Sequence, residues 1–247
     1  MHCRPGSPRD HRVTMARFAA EGDQVPWTRK AGPGDEAVIA RLIPAALPAS
    51  GPQHEARHFA EALCAADGEV PVPHGTGRLL VGGWPGTRTP AGLVYFLPPV
   101  RLVNAHADAG RTAQSRLATQ ITEIELLAVD PKAQRTGLGT ALLRAAEQTA
   151  RDHGAQILLA KVADSDFPVL RWWRHRGYSL ASPGQEVRLA LGWATVGCDD
   201  GGTGHRIAVA PAHPDGRVQD TGARLRVTTP PPPGSSEGAV GNRFRQR

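Results

Sequence analysis

The run ITEIELLAV (Ile121–Val129), its terminator Asp130-Pro131 and the loop KAQRTGLG (Lys132–Gly139) decide how this chain folds. Nine residues dominated by branched and apolar side chains predict a strand. In it Glu123, Glu125, Leu127 and Val129 share one face, opposite Thr122, Ile124, Leu126 and Ala128. Apolar residues then recur at helical spacing over 138–153, with Leu138, Ala141, Leu142, Ala145 and Ala146 inward and Gly154 as the stop. QILLAKVA (Gln156–Ala163) reads as a buried strand. Strand, helix and strand in this order describe a right-handed crossover between parallel strands.

The loop between the first strand and the helix carries the chemistry. Free backbone N–H groups and the positive end of a helix make an anion site there. Gly137 and Gly139 permit left-handed torsions and a close approach of backbone to ligand, and Arg135 adds charge. A diphosphate suits this geometry. A dinucleotide fingerprint would need a third glycine where Leu142 stands, and a Walker loop would need a Gly-Lys-Ser/Thr run that the sequence lacks.

Upstream, DEAVIARLIPAAL (Asp35–Leu47) predicts a helix with Asp35 as N-cap and Pro44 as a kink or end, and a second helix follows over 54–66. The runs Arg78–Trp84 and Ala91–Phe96, joined by a turn-rich PGTRTP, predict an antiparallel hairpin, so the sheet is mixed. Residues 98–119 read as a long connection, of the kind that is functional or mobile. Pro168 opens a short helix that Gly177 stops, and Glu186–Trp193 is expected to complete the domain as its last strand. Three regions result: a flexible leader over 1–27, a domain over 28–195, and a Gly/Pro-rich extension over 196–247 expected to be largely disordered. Within that extension Arg206–Ala210 can add one short strand.

At 247 residues, 40% hydrophobic and 21% charged, the chain can bury a core, which argues against collagen-like, wholly disordered and coiled-coil classes. Its net charge is +6, but only three of the 29 basic residues are Lys and the charge is spread along the chain. That distribution gives no reason to expect nucleic acid, which asks for charge clustered on one face. The three cysteines show no C-x-x-C spacing and are too few for a disulfide framework. No apolar segment follows the basic N-terminus, and no run approaches the about 20 apolar residues of a membrane span. A cytoplasmic protein, monomer or homodimer, is the expectation. The ten histidines suggest no metal site: His106 with Asp108, and His54 with His58, lack a third ligand.

The loop, read as Gln134-Arg135-Thr136-Gly137-Leu138-Gly139, fits the pattern Q-x-x-G-x-G, and here the sequence resembles the GNAT N-acetyltransferase superfamily. The strand ITEIELLAVDP before it is similar to that family's fourth strand. The segment DFPVLRWWRHRGY (Asp166–Tyr178) after it is similar to the family's N-x-x-A-x-x-x-Y-x-x-x-G-F segment. The likeness runs from about residue 28 to 193. It implies a mixed α/β fold with a central sheet of six to seven strands flanked by helices. Two of its parallel strands, 121–129 and 156–163, would splay into an acyl-CoA cleft.

The resemblance further implies that acetyl-CoA is the cosubstrate. Its pantetheine arm would lie along Leu127, Ala128 and Val129, with the Leu127 N–H at the reacting carbonyl. Its pyrophosphate would be wrapped by Gln134, Arg135, Thr136, Gly137, Leu138, Gly139 and Thr140. The acceptor would be a primary amine, not identified by any motif, attacking directly in a ternary complex. Such a reaction needs a base. Glu123, 14 residues before Gly137, matches the catalytic glutamate of histone-type members and is the first candidate; Glu125 is the second. Either can instead be a solvated strand carboxylate.

Three positions depart from the family pattern. Trp173 stands where many members carry a tyrosine general acid, and Tyr178 occupies a core-type position. Asp166 replaces the usual Asn and suits an N-cap, while Trp172 can wall the acyl site or simply pack. The loss of the tyrosine keeps a second reading open, a non-catalytic acyl-CoA-binding regulatory module.

Overall fold

The structure is a computed structural model that describes residues 25–46, 53–198 and 204–230. The expectations for the leader up to residue 24 and for the tail from 231 lie outside the described residues. In chain order the elements are β1 (Trp27–Lys30), α1 (Glu36–Ala46), α2 (Gln53–Ala65), β2 (Glu69–Val72), β3 (Gly75–Gly83), β4 (Gly92–Leu97), α3 (Val100–Ala105), α4 (Arg111–Gln120) and β5 (Ile121–Val129). There follow α5 (Leu138–Asp152), β6 (Ile157–Ala163), α6 (Phe167–His175), β7 (Ser179–Leu180), β8 (Glu186–Ala190), β9 (Thr195–Cys198), β10 (His205–Pro211), β11 (Arg217–Asp220) and β12 (Arg224–Thr228).

A mixed sheet of eight strands runs in the order β1-β3-β4-β5-β6-β10-β7, with β2 paired to β3. The crossover through α5 makes β5 and β6 parallel, as the sequence predicts. They pair only from Ile121↔Ile157 to Ile124↔Ala160; beyond that the strands part, β5 staying with β4 and β6 with β10. This is the expected splay.

A bulge produces one correction. On β4, Tyr95 faces Leu126 and Phe96 faces Ile124, so Glu125 is the extra residue. One added residue reverses the alternation beyond it. Leu127 and Val129 therefore pack with Ile124 on the α5 side, while Leu126 and Ala128 join the α1 and α2 side, to which Glu123 and Glu125 also turn. The four-residue face expected from strict alternation does not form.

Each sheet face is covered differently. On one, α5 lays Leu138, Leu142, Leu143 and Ala146 over Leu80, Val94, Ile124 and Ala160. On the other, α1 and α2 cover β3, β4 and the end of β5 with Ile39, Leu42, Ala60 and Leu63. A separate four-stranded sheet, β11-β12-β8-β9, covers the rest: Val187, Leu189, Val196, Leu225 and Val227 pack against Ile157, Leu159, Ile207 and Val209.

Further expectations meet the structure here. Glu186–Trp193 does not complete the central sheet; its first five residues form β8 of the second sheet. In the region from 196 the described residues 196–198 and 204–230 hold the rest of β9 and all of β10, β11 and β12. Its short strand at 206–210 is real and becomes β10, inserted between β6 and β7, because Ile207 and Val209 bury on one face and Ala208 and Ala210 on the other. The 98–119 connection is mostly helical, since Leu102, Val103, Leu117 and Ala118 form a buried stripe beneath its polar surface. Pro44 lies inside α1 rather than ending it. Asp35 directs its carboxylate to Arg29 and the Gly32 N–H, not into the helix start.

Candidate active site

The unpaired part of β5 and the loop after it form one continuous polar rim. The Asp130 N–H donates to the Ala91 carbonyl (2.8 Å), which fixes the phase of the β4–β5 ladder. By alternation Leu127 and Val129 turn their N–H and C=O groups the other way, into the splay, where no strand receives them. Gln134 Nε2 donates to the Val129 carbonyl (3.2 Å) and Thr136 Oγ1 to that of Ala133 (2.6 Å), folding the loop back on the strand.

Arg135 and Gly137 both adopt left-handed torsions, with φ of 62° and 95°. A Cβ at Gly137 would meet nothing within 4 Å, so the glycine serves the torsion and not a tight contact. α5 starts with Gly137 at its N-cap, no capping side chain and no acidic residue in its first turn. Its leading N–H groups are free to meet an anion. A Cβ at Gly139 would come 3.5 Å from Val129 Cγ2 and 3.8 Å from the Trp172 ring, so strand end, helix start and α6 converge there.

On the opposite face the same stretch of β5 floors a cavity of about 440 Å³. Its walls come from α1 (Ile43, Pro44), α2 (Glu55, Ala56, Phe59), β4 (Tyr95, Leu97), α3 (Val100, Arg101), β5 (Glu123, Glu125, Leu126) and β6 (Lys161). Glu123 is buried and its Oε1 lies 3.0 Å from Lys161 Nζ, so its charge is committed to an ion pair. Glu125, lifted by the bulge, reaches solvent through the cavity mouth. Crowding by protein, and then the charge of Glu123, raise its pKa above the ordinary glutamate value against the pull of Lys161 and Arg101. Tyr95 lies across β3, where a Cβ at Gly77 would fall 2.1 Å from its Oη, and meets Phe59 edge-on at 5.2 Å. Burial and the Glu125 charge raise the Tyr95 pKa.

The α6 residues separate cleanly. Asp166 caps the helix, its Oδ1 accepting from the Val169 N–H at 3.1 Å. Trp173 is buried in the core, edge-on to Trp172 and Tyr178. Tyr178 donates its hydroxyl to Glu147 Oε1 (3.0 Å), and burial followed by Glu147 holds its pKa well above the ordinary phenol value. Both are packing residues. Trp172 alone stands at the rim.

Lys161, Phe59, Tyr95 and Arg101 escaped the sequence reading. Lys161 left a signal: a lysine in the apolar run QILLAKVA is a buried charge that needs a partner, and Glu123 on the adjoining strand supplies it. Among the described residues no group of three His, Cys, Asp or Glu is placed to hold a metal, and no helix is long and apolar enough to cross a membrane.

An α/β fold with splayed parallel strands, an open strand edge and an uncapped helix start can receive an extended arm that ends in an anion. The sequence profile of the Acetyltransferase (GNAT) family matches residues 51–178, and the chain belongs to that family. No curated protein matches it. Among solved structures it is similar to a protein assigned to the GNAT family from Desulfovibrio desulfuricans, at 18% identity over 76% of this chain and 100% of that one (TM-score 0.48). It is similar also to Ard1 from Thermoplasma volcanium, at 13% identity over 75% and 97% of the two chains (TM-score 0.48). A third is a GNAT family acetyltransferase from Elizabethkingia anophelis with acetyl-CoA bound, at 13% identity over 74% and 95% (TM-score 0.44).

Proposed function

We propose that this chain transfers an acetyl group from acetyl-CoA to a primary amine by direct attack in a ternary complex. The observation that carries the reading is the open β5 edge running into an uncapped helix start, with a carboxylate of raised pKa on the same few residues. The N–H and C=O groups of Leu127 and the N–H of Val129, which no strand receives, suit an amide-bearing arm laid down as an added strand; the Val129 carbonyl accepts from Gln134, and Ala128 packs behind them. The leading N–H groups of α5 at Leu138, Gly139 and Thr140, with the loop Gln134–Gly137 and the Arg135 charge, suit a pyrophosphate. The Leu127 N–H supplies a donor for the charge that develops on the carbonyl oxygen.

Within this reading the order of the two glutamates reverses. Glu123 is tied to Lys161, whereas Glu125 is open to the cavity and has the raised pKa that suits proton uptake. Glu125 is the base, and the Glu123–Lys161 pair sets its electrostatic surroundings. Trp173 and Tyr178 are core residues, so water protonates the departing thiolate. The catalytic domain runs from β1 through β10 rather than stopping at 195.

Calorimetric titration with acetyl-CoA, followed by thiol release against a panel of primary amines, tests the proposal. Binding followed by release is the expected result. An absence of acetyl-CoA binding overturns it.

A further inference from the structure

We infer that the acceptor is a compact primary amine with a single positive charge and an apolar, aryl-bearing body. The inference rests on the acetyltransferase reading and concerns the cavity on the far side of β5. At about 440 Å³ the cavity lies toward the small end of the about 300–1,000 Å³ typical of small-ligand pockets. Its walls are largely apolar. Phe59 and Tyr95 meet edge-on at 5.2 Å, an arrangement that offers ring faces and edges to an aromatic guest.

Polar recognition is confined to few groups. Glu123 is consumed by Lys161, so on the strand floor Glu125 is the carboxylate left for an ammonium group. Glu55 on α2, Arg101 and Lys161 also line the cavity, so its three carboxylates face two cations and the surplus is one negative charge. A second or third ammonium group exceeds that surplus and meets Arg101 or the apolar Leu97, Val100 and Pro44. A small polar amine would leave the aromatic walls unfilled. In the reaction the ammonium loses one proton to Glu125, and the nitrogen lone pair forms the new C–N bond at the thioester carbonyl. The C–S bond breaks, the thiolate takes a proton from water, and the hydroxide so formed takes the second amine proton as the amide forms.

The test measures binding and turnover separately for 2-phenylethylamine, ethanolamine, spermidine and a lysine-containing tripeptide. Calorimetry with CoA present reads amine binding without chemistry; thiol release with acetyl-CoA reads turnover. The expected result is that 2-phenylethylamine binds at least tenfold more tightly than the other three. Phe59→Ala should weaken its binding about tenfold while changing ethanolamine less than twofold. Preference for spermidine, ethanolamine or the tripeptide overturns the inference, as does an equal effect of Phe59→Ala on all four. Should acetyl-CoA fail to bind while 2-phenylethylamine still binds selectively, the acetyltransferase reading falls and the assignment of the cavity stands.

Discussion

Lys161 Nζ lies 3.0 Å from Glu123 Oε1, across the point where β5 and β6 part, and this pairing divides the labour of two carboxylates one residue apart on the strand face. Glu123 is buried and ion-paired. Glu125, its near neighbour, feels the partial loss of water and then the negative charge of Glu123.

Replacing Glu125 by Gln should lower turnover about 10²–10⁴-fold, the usual contribution of a positioned base, with acetyl-CoA affinity unchanged. Steady-state kinetics beside calorimetry reads both. A variant retaining full turnover would remove Glu125 from the mechanism.

The acidic limb of the pH–rate profile should report Glu125, because the base works only when deprotonated. Its raised pKa places that limb above the ordinary glutamate value. Glu123→Gln removes the like charge and leaves Lys161 positive, so the limb should move to lower pH with turnover retained on the plateau. Loss of the plateau would return the base to Glu123.

Glu125 also sets a stability trend. Its folded pKa is raised above the unfolded one, so its contribution is fully present below the unfolded value and is lost as pH rises through the folded value. At neutral pH the ionised group opposes folding. Glu125→Gln should therefore raise Tm at pH 7 and leave it unchanged at pH 4, by thermal denaturation.

At the loop, Gly137→Ala has open space for its methyl group and pays only for the left-handed torsion, about 1 kcal/mol. Gly137→Asp adds a negative charge before the free N–H groups of α5 and should abolish acetyl-CoA binding while the protein remains folded. Circular dichroism with calorimetry separates the two effects.

Tyr178→Phe breaks the 3.0 Å bond to Glu147 and should cost about 1 kcal/mol in denaturant unfolding, with turnover unchanged within about twofold. A large loss of turnover would give this tyrosine a part in the chemistry.

The legible part of the fold was its local grammar. Strand, glycine loop, helix and strand over 121–163 were readable because their periodicities are strong and Gly137 is needed for a positive φ. Three things were hidden. The bulge at Glu125 depends on the β4–β5 register, a pairing between strands that no single strand records. The Lys161 partnership depends on parallel register in the same way. β10 was visible only as a short strand, because its small apolar residues are framed by Gly and Asp and reveal their role only when buried on both faces.

The placement of β10 has a consequence for how the protein is made. β6 ends at Ala163, yet the strand that fills its free edge starts at His205, and β7, emerging earlier, cannot take its seat until that strand has slid in between. Until residues 205–211 are in place β6 has no partner on that edge, a late closure of the kind that slows folding and invites pairing with other chains. Completion of the central sheet thus depends on a seven-residue strand that lies more than forty residues downstream of the edge it fills.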